Sequence, residues 1–160
     1  MYFLKTLIIW MCLCSLADMY GVPRNKINVE ITESAIISRS ALRQRVADRL
    51  VEAGFELEID DFGKGISSLN TLRNIKAQTL KLDMDFLKID EDSSMRGMII
   101  IESMIHMAKL LDMTVVVEGV ETVAQRDALL EMDCDLLQGY LFSKPVPVEE
   151  FEKHVTENLV

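Results

Sequence analysis

Five times along this chain a short alternating run is followed by a helical one. That repetition limits the fold more than any other feature. Ile27–Glu33 puts Asn28, Glu30 and Thr32 on one face and Ile27, Val29 and Ile31 on the other, which is the period of a strand. Phe55–Asp61, Thr79–Asp83, Thr114–Glu118 and Asp135–Phe142 follow as further strands, the last with Gln138 and Tyr140 on one face. Between them lie helical runs. Ile36–Ala53 carries Leu42, Val46 and Leu50 at i, i+4 and i+8 and is closed by Gly54. Ile66–Arg73, the Met- and Ile-rich Met95–Asp112, and Glu121–Met132 come next. After Pro145 and Pro147 a last helix runs from Val148 to Glu157. No Asn-Gly hairpin and no low-complexity linker interrupts the series. Strands that alternate with helices predict an α/β fold with a parallel sheet.

These strands depart from the usual parallel pattern. Strands buried on both faces read as continuous apolar runs. Here one face of each carries polar groups: Glu30; Glu58 and Asp60; Lys81 and Asp83; Glu118; Gln138. In a barrel that face points into the lumen, and the strand ends meet at its mouth. Buried carboxylates are costly unless paired, hydrogen-bonded or metal-bound. Glu30, Asp60, Asp61 and Glu118 form an oxygen-only donor set of the kind that suits Mg²⁺, Mn²⁺ or Ca²⁺. Two such ions can activate a water and clamp a phosphoryl oxygen. Strict alternation aims Asp60 and Asp61 to opposite sides, so a shared site needs a backbone turn, which Gly63 and Gly65 permit. Lys81 can hold a water or a phosphate oxygen, and Gln138 can orient a ligand.

Each assignment has a plainer alternative. The acid pair can be a solvated turn or a helix cap. Glu58 reads as a structural charge and Asp83 as a partner for Lys81. Lys81 can instead form a Schiff base with a carbonyl substrate. His106 and the methionines of its helix read as packing or a subunit contact. Cys134 has no evident base beside it. Gly63-Lys64-Gly65 is too short for a phosphate loop.

The 160 residues suit one domain, and 49% hydrophobic with 27% charged residues is a globular balance. A net charge of −9 argues against an unaided surface for nucleic acid or anionic membrane. Cys12, Cys14 and Cys134 are an odd set without zinc-like spacing, which suggests reduced thiols and a cytoplasmic location. Residues 1–17 carry one lysine before an apolar run too short to span a bilayer. The run is similar to a signal-peptide core, but secretion conflicts with unpaired thiols, so we read a buried or partner-facing helix.

Five strings in this order, EITES, EIDDFGKGISSL, LKLD, VVVEGVET and QGYLFSKP, resemble the EAL-domain phosphodiesterases of bacterial cyclic di-GMP signalling. The resemblance runs from about Leu16 to Phe151 and leaves residues 1–15 as an apolar segment of unclear origin. It implies a TIM-like (β/α) barrel with one reversed strand, and Mg²⁺- or Mn²⁺-dependent opening of cyclic di-GMP to linear pGpG. By motif, Glu30, Asp60, Asp61 and Glu118 would be metal ligands. Lys81 and Gln138, with Glu118, would be catalytic. Glu33, Glu121 and Asp83 would support them, Glu33 by steadying the loop after the acid pair. Within that loop Lys64 stands where a small residue is usual, and Ile66 where tyrosine is usual. The family's Glu-Ala-Leu strand and the next strand with its metal-binding Asn do not occur in this sequence. The expected architecture is therefore an incomplete barrel of about five parallel strands over residues 16–160. Its activity alone would be weak or absent, or it would serve as a non-catalytic binding or interaction module. Its open sheet edges would be covered by a homodimer mate or a partner chain. No membrane span is expected.

Overall fold

A computed structural model describes residues 2–33, 35, 41–63, 72, 75–83 and 91–158. The predicted helix Ile66–Arg73, the start of the helix before Gly54, and Lys64 and Ile66 fall mainly or wholly outside these residues.

Helix α1, Tyr2–Tyr20, ends at Gly21, whose φ of 63° glycine adopts without strain. A 3₁₀ turn, Arg24–Lys26, leads into β1, Asn28–Thr32. Helix α2, Ala41–Glu52, returns the chain to β2, Glu56–Phe62. Strand β3, Thr79–Asp83, and helix α3, Glu91–Leu110, follow. Strand β4, Thr114–Glu118, leads to helix α4, Val123–Glu131. Thr122 caps α4 reciprocally with Gln125, which fixes where that helix starts. Strand β5, Leu136–Leu137, and helix α5, Val148–Asn158, complete the chain.

The five strands form one sheet in the order β1-β2-β3-β4-β5, and all four pairings are parallel. The reversed strand implied by the resemblance is not among them. Among the described residues the edge strands are β1 and β5.

The two sheet faces differ as the alternation predicts. Leu57, Ile59, Leu80, Leu82, Val115 and Val117 are fully or almost fully buried on one face. All but Leu57 belong to a core with Ile101, Ile105 and Ala108 of α3 and Leu129 of α4. A second, smaller core joins Ala17 of α1, Leu50 of α2 and Phe55. At ~25 cal/mol per Å² of apolar surface, these side chains are the main stabilising term of the fold. The opposite face carries Asn28, Glu30 and Thr32, then Glu58 and Asp60, Lys81 and Asp83, and Glu118.

Two expectations are corrected. The last strand spans Leu136–Leu137 and not Asp135–Phe142. At Gln138 the chain leaves the ladder and folds over the end of β4. The Val120 N–H donates to the Gln138 carbonyl at 3.0 Å, and the Leu141 N–H to the Val120 carbonyl at 3.0 Å. Gly139 lies so close that a Cβ there would stand 2.1 Å from the Val120 carbonyl oxygen. Gln138 and Tyr140 therefore do not share a strand face. His106 is exposed and not packed. Its helix buries Ile101, Ile105 and Ala108, half-buries Met104 and Met107, and leaves Met95 exposed.

Candidate functional site

The polar residues gather at the C-terminal ends of the parallel strands. Lys81, in the middle strand, is the focus. Its Nζ lies 2.5 Å from Glu30 Oε1, 2.7 Å from Glu118 Oε1 and 3.7 Å from Asp60 Oδ1. Three carboxylates from three strands, β1, β2 and β4, thus converge on one ammonium. The Lys81 side chain is buried, whereas Glu30 is half-exposed, so the cluster opens to solvent on the β1 side.

Burial alone would push the Lys81 pKa down. The hydrogen bonds to Glu118 and Glu30, with the Glu118 and Asp60 charges, outweigh it and hold the pKa above its ordinary value. The ammonium stays protonated at neutral pH. The three ion pairs favour the ammonium, whereas a Schiff base needs the free amine.

The acid pair is resolved by a β-bulge. Ile59 pairs with Leu80 and Phe62 with Leu82, so three steps on β2 match two on β3. Asp61 is the extra residue, in the left-handed region at φ 54°. Its short polar side chain tolerates that conformation better than most. The slip restores parity: Ile59 and Phe62 both enter the apolar core although three residues apart. Asp60 remains on the polar face, and its Oδ1 accepts the Asp61 N–H at 2.8 Å. The sequence did hold the signal. After Leu57 and Ile59 the next large apolar residue is Phe62, one position late.

Glu33 is buried beyond the end of β1, where its Oε2 accepts the Gly63 N–H at 3.2 Å. It ties the turn after the acid pair to the end of β1. Glu58 is buried and accepts a hydrogen bond from the Asn28 amide, in keeping with a structural charge. Asp83 sits in register with Glu118, but the ion pairs of Lys81 run to Glu30, Asp60 and Glu118. Gln138 is exposed just beyond β5, joined to the site by its backbone bonds to Val117 and Val120. Glu121 is exposed at the start of α4, its N–H bonded to Gln125. Cys134 is buried and donates toward the Leu136 carbonyl at 3.3 Å, and burial pushes its thiol pKa up. Sequence reasoning missed Gly139; the signal was a glycine inside an apparent strand, which marks a close backbone approach.

The donor set is all carboxylate, which fits a hard divalent cation in type. Among the described residues no three Asp, Glu, His or Cys side chains stand at the mutual spacing of a metal site. The Lys81 ammonium is clasped between them instead. Among the described residues no helix is long and apolar enough to cross a membrane.

Comparison with known proteins accords with this geometry. The cyclic di-GMP phosphodiesterase NbdA of Pseudomonas aeruginosa is 42% identical over 136 residues, 85% of this chain and 17% of NbdA. The EAL domain of Mycobacterium smegmatis DcpA superposes with a TM-score of 0.83 at 30% identity, covering 92% of this chain and 66% of that one. A manganese and cyclic di-GMP complex of Klebsiella pneumoniae BlrP1 gives 0.76 at 31% identity, covering 83% and 34%. The chain thus spans about a sixth of NbdA's length and a third to two thirds of these solved chains. The family model described as "EAL domain" matches residues 6–145, and with five parallel strands that bring Glu30, Asp60 and Glu118 together, the chain belongs to the EAL-domain family.

Proposed function

We propose that this chain carries part of a divalent-metal-dependent phosphodiesterase centre that opens cyclic di-GMP to linear pGpG. The observation that carries the reading is the closing of three carboxylates from separate strands onto Lys81. The names of NbdA and of the BlrP1 complex point to the same substrate and to a divalent cation. Glu30, Asp60, Asp61 and Glu118 would hold Mg²⁺ or Mn²⁺. When bound, such an ion supplies a Lewis acid and lowers the pKa of a water.

The chain's own residues do the rest. Lys81 is a fixed cation and a hydrogen-bond donor, not a base. It can position a water or a phosphate oxygen beside Glu118. Gln138 orients the ligand from the strand end beyond Glu118. Glu33 and Glu121 act at one remove, Glu33 through the Gly63 N–H. Asp83 supports the β3 end beside Glu118. Water adds across one phosphodiester P–O bond, and the sugar oxygen leaves with a proton.

Turnover by these 160 residues alone is expected to be weak or absent. The donor set holds four carboxylates and lacks the Glu and Asn ligands of the family pattern. Loss of even an outer partner costs about 10–100-fold in affinity or activity. Further strands that complete a barrel would pair along β1 and β5. A second reading, a non-catalytic nucleotide-binding or interaction module, is favoured by the ammonium that stands among the acids.

The purified chain, incubated with cyclic di-GMP and Mn²⁺, should yield pGpG slowly, and Lys81→Ala or Glu118→Ala should abolish the product. Nucleotide binding by calorimetry without turnover supports the second reading. Neither binding nor turnover at high protein concentration rejects both.

A further inference from the structure

Helix α1 is apolar on both sides. Successive residues fall about 100° apart around the axis. Trp10, Leu13, Cys14 and Ala17 therefore face inward, and they pack with Leu50, Phe55, Ile27, Val29 and Val46. The opposite arc carries Met11, Cys12, Ser15, Leu16 and Met19. All five are exposed or half-exposed, Met11 at 53%, Leu16 at 50% and Met19 at 72%. Asp18 borders the arc, but its carboxylate is drawn aside to Arg24 at 2.8 Å. From Met11 to Met19 the arc carries no charge; Lys5 lies on its N-terminal extension. A helix apolar all round belongs in an interior, so this face needs a cover.

We infer that the cover is the same face of a second copy, packed as a two-fold helix pair. Three observations choose this occupant. The arc offers small residues, Cys12 and Ser15, between larger ones, Met11, Leu16 and Met19, so one surface supplies both ridges and grooves. A two-fold contact requires that self-complementarity. The exposed parts of Met11, Leu16 and Met19 on the arc, with Tyr20 and Val22 beside it, amount to roughly 550 Å² per copy, against the ~800 Å² per partner that a stable interface buries. An anionic lipid surface is disfavoured, because α1 carries a single basic residue, Lys5, and the chain as a whole carries −9. The pair also leaves catalysis free. Helix α1 packs on the Val29 face of the sheet, and Glu30 with the other acids lies on the opposite face. This contact is independent of the open edges of β1 and β5 and of the proposed chemistry.

Sedimentation equilibrium of the whole chain tests it. Against a monomer of 18.2 kDa, a mass twice as large is expected at micromolar concentration. Salt should tighten the pair, since it screens the repulsion between two acidic chains. Leu16→Glu and Met19→Glu, each at an exposed position, should weaken association at least tenfold with unchanged far-ultraviolet circular dichroism. Mild oxidation should give a covalent dimer that Cys12→Ser abolishes. A monomer at all concentrations overturns the inference. So does a dimer that survives both glutamate variants with the fold intact. Monomers that bind phosphatidylcholine vesicles, seen as a blue shift of Trp10 fluorescence, also overturn it and make the occupant a lipid surface.

Discussion

The middle of the sheet and its β5 end are built by different rules. Strands β3 and β4 each have a neighbour on both sides, and their bounds, Thr79–Asp83 and Thr114–Glu118, are the ones the alternation predicts. There the apolar period decides everything, because a one-residue slip would turn Leu80, Leu82, Val115 and Val117 out of the core. Strand β5 has one neighbour. Its alternation continues to Phe142, yet the ladder stops at Leu137. The Gln138 N–H still reaches the Val117 carbonyl of β4, and beyond it the backbone groups are satisfied by Val120 and by a turn onto Gly139. Tyr140 and Phe142, which look like strand residues, are exposed. Periodicity reports a strand faithfully where both flanks are paired, and it overruns where a turn can satisfy the same hydrogen bonds.

Removing a core side chain from the middle should give the largest effect. Leu80 is fully buried against both α3 and the neighbouring strands. Leu80→Ala should cost about 3–4 kcal/mol of unfolding free energy, read from urea titration. Phe142→Ala, at an exposed residue past β5, should change stability by under about 0.5 kcal/mol. Equal losses at the two positions would erase the contrast.

The β5 end has its own weak point, which is backbone contact and not side-chain packing. A methyl at position 139 would meet the Val120 N, C and O, none of which can swing away. Gly139→Ala should cost about 2–3 kcal/mol, at the upper end for an overpacked site. Because Gln138 and Glu118 flank that contact, ligand binding should weaken with it. A neutral Gly139→Ala would mean that the segment over β4 is loosely held.

The bulge in β2 comes next in size. Asp61 holds φ at 54°, which costs most residues roughly 1–2 kcal/mol. Asp61→Val should therefore destabilise by about 1–2 kcal/mol, while Asp61→Asn, whose side chain also tolerates this region, should stay within about 0.5 kcal/mol. Asparagine keeps the bulge and removes the charge. It thus separates the backbone role of Asp61 from its proposed ligand role, which a loss of Mn²⁺ affinity would report.

How much could be read in advance follows from these cases. The sheet faces, the acids at the strand ends and the central lysine come from alternation and spacing alone. The bulge was written in the late arrival of Phe62, but two adjacent acids hid it. The convergence on Lys81 depends on β-strand order and register, which couple residues as far apart as Glu30 and Glu118. No local pattern encodes that. The outer face of α1 carried a signal in its exposed Met11, Leu16 and Met19, yet which side is covered became clear only when Ala17 was found against Leu50 and Phe55.

The smallest effect expected is a pH dependence at the foot of β5. Asp135 accepts the Val115 N–H at 2.8 Å and the Lys109 ammonium at 2.8 Å, so it pins the start of β5 to β4 and to the end of α3. Its desolvation would raise the carboxyl pKa, but the Lys109 and Val115 hydrogen bonds outweigh that and hold it below the ordinary 3.8. A carboxyl whose pKa falls on folding adds stability above its unfolded value and loses it as pH drops through the folded value. Lys109 shifts the other way, upward through Asp135 and Asp133, so its part is complete below 10.5 and fades only above. Both contributions are therefore present between about pH 4 and pH 10, and the acid limb belongs to Asp135. The group is a third exposed, so solvent screening keeps its share below about 1 kcal/mol. Asp135→Asn keeps the shape and one acceptor for the Val115 N–H. It should lower stability at pH 7 and lessen the fall in stability between pH 5 and pH 3. A variant as acid-sensitive as the parent would mean that the β5 foot is held by Cys134 and Leu137 packing alone.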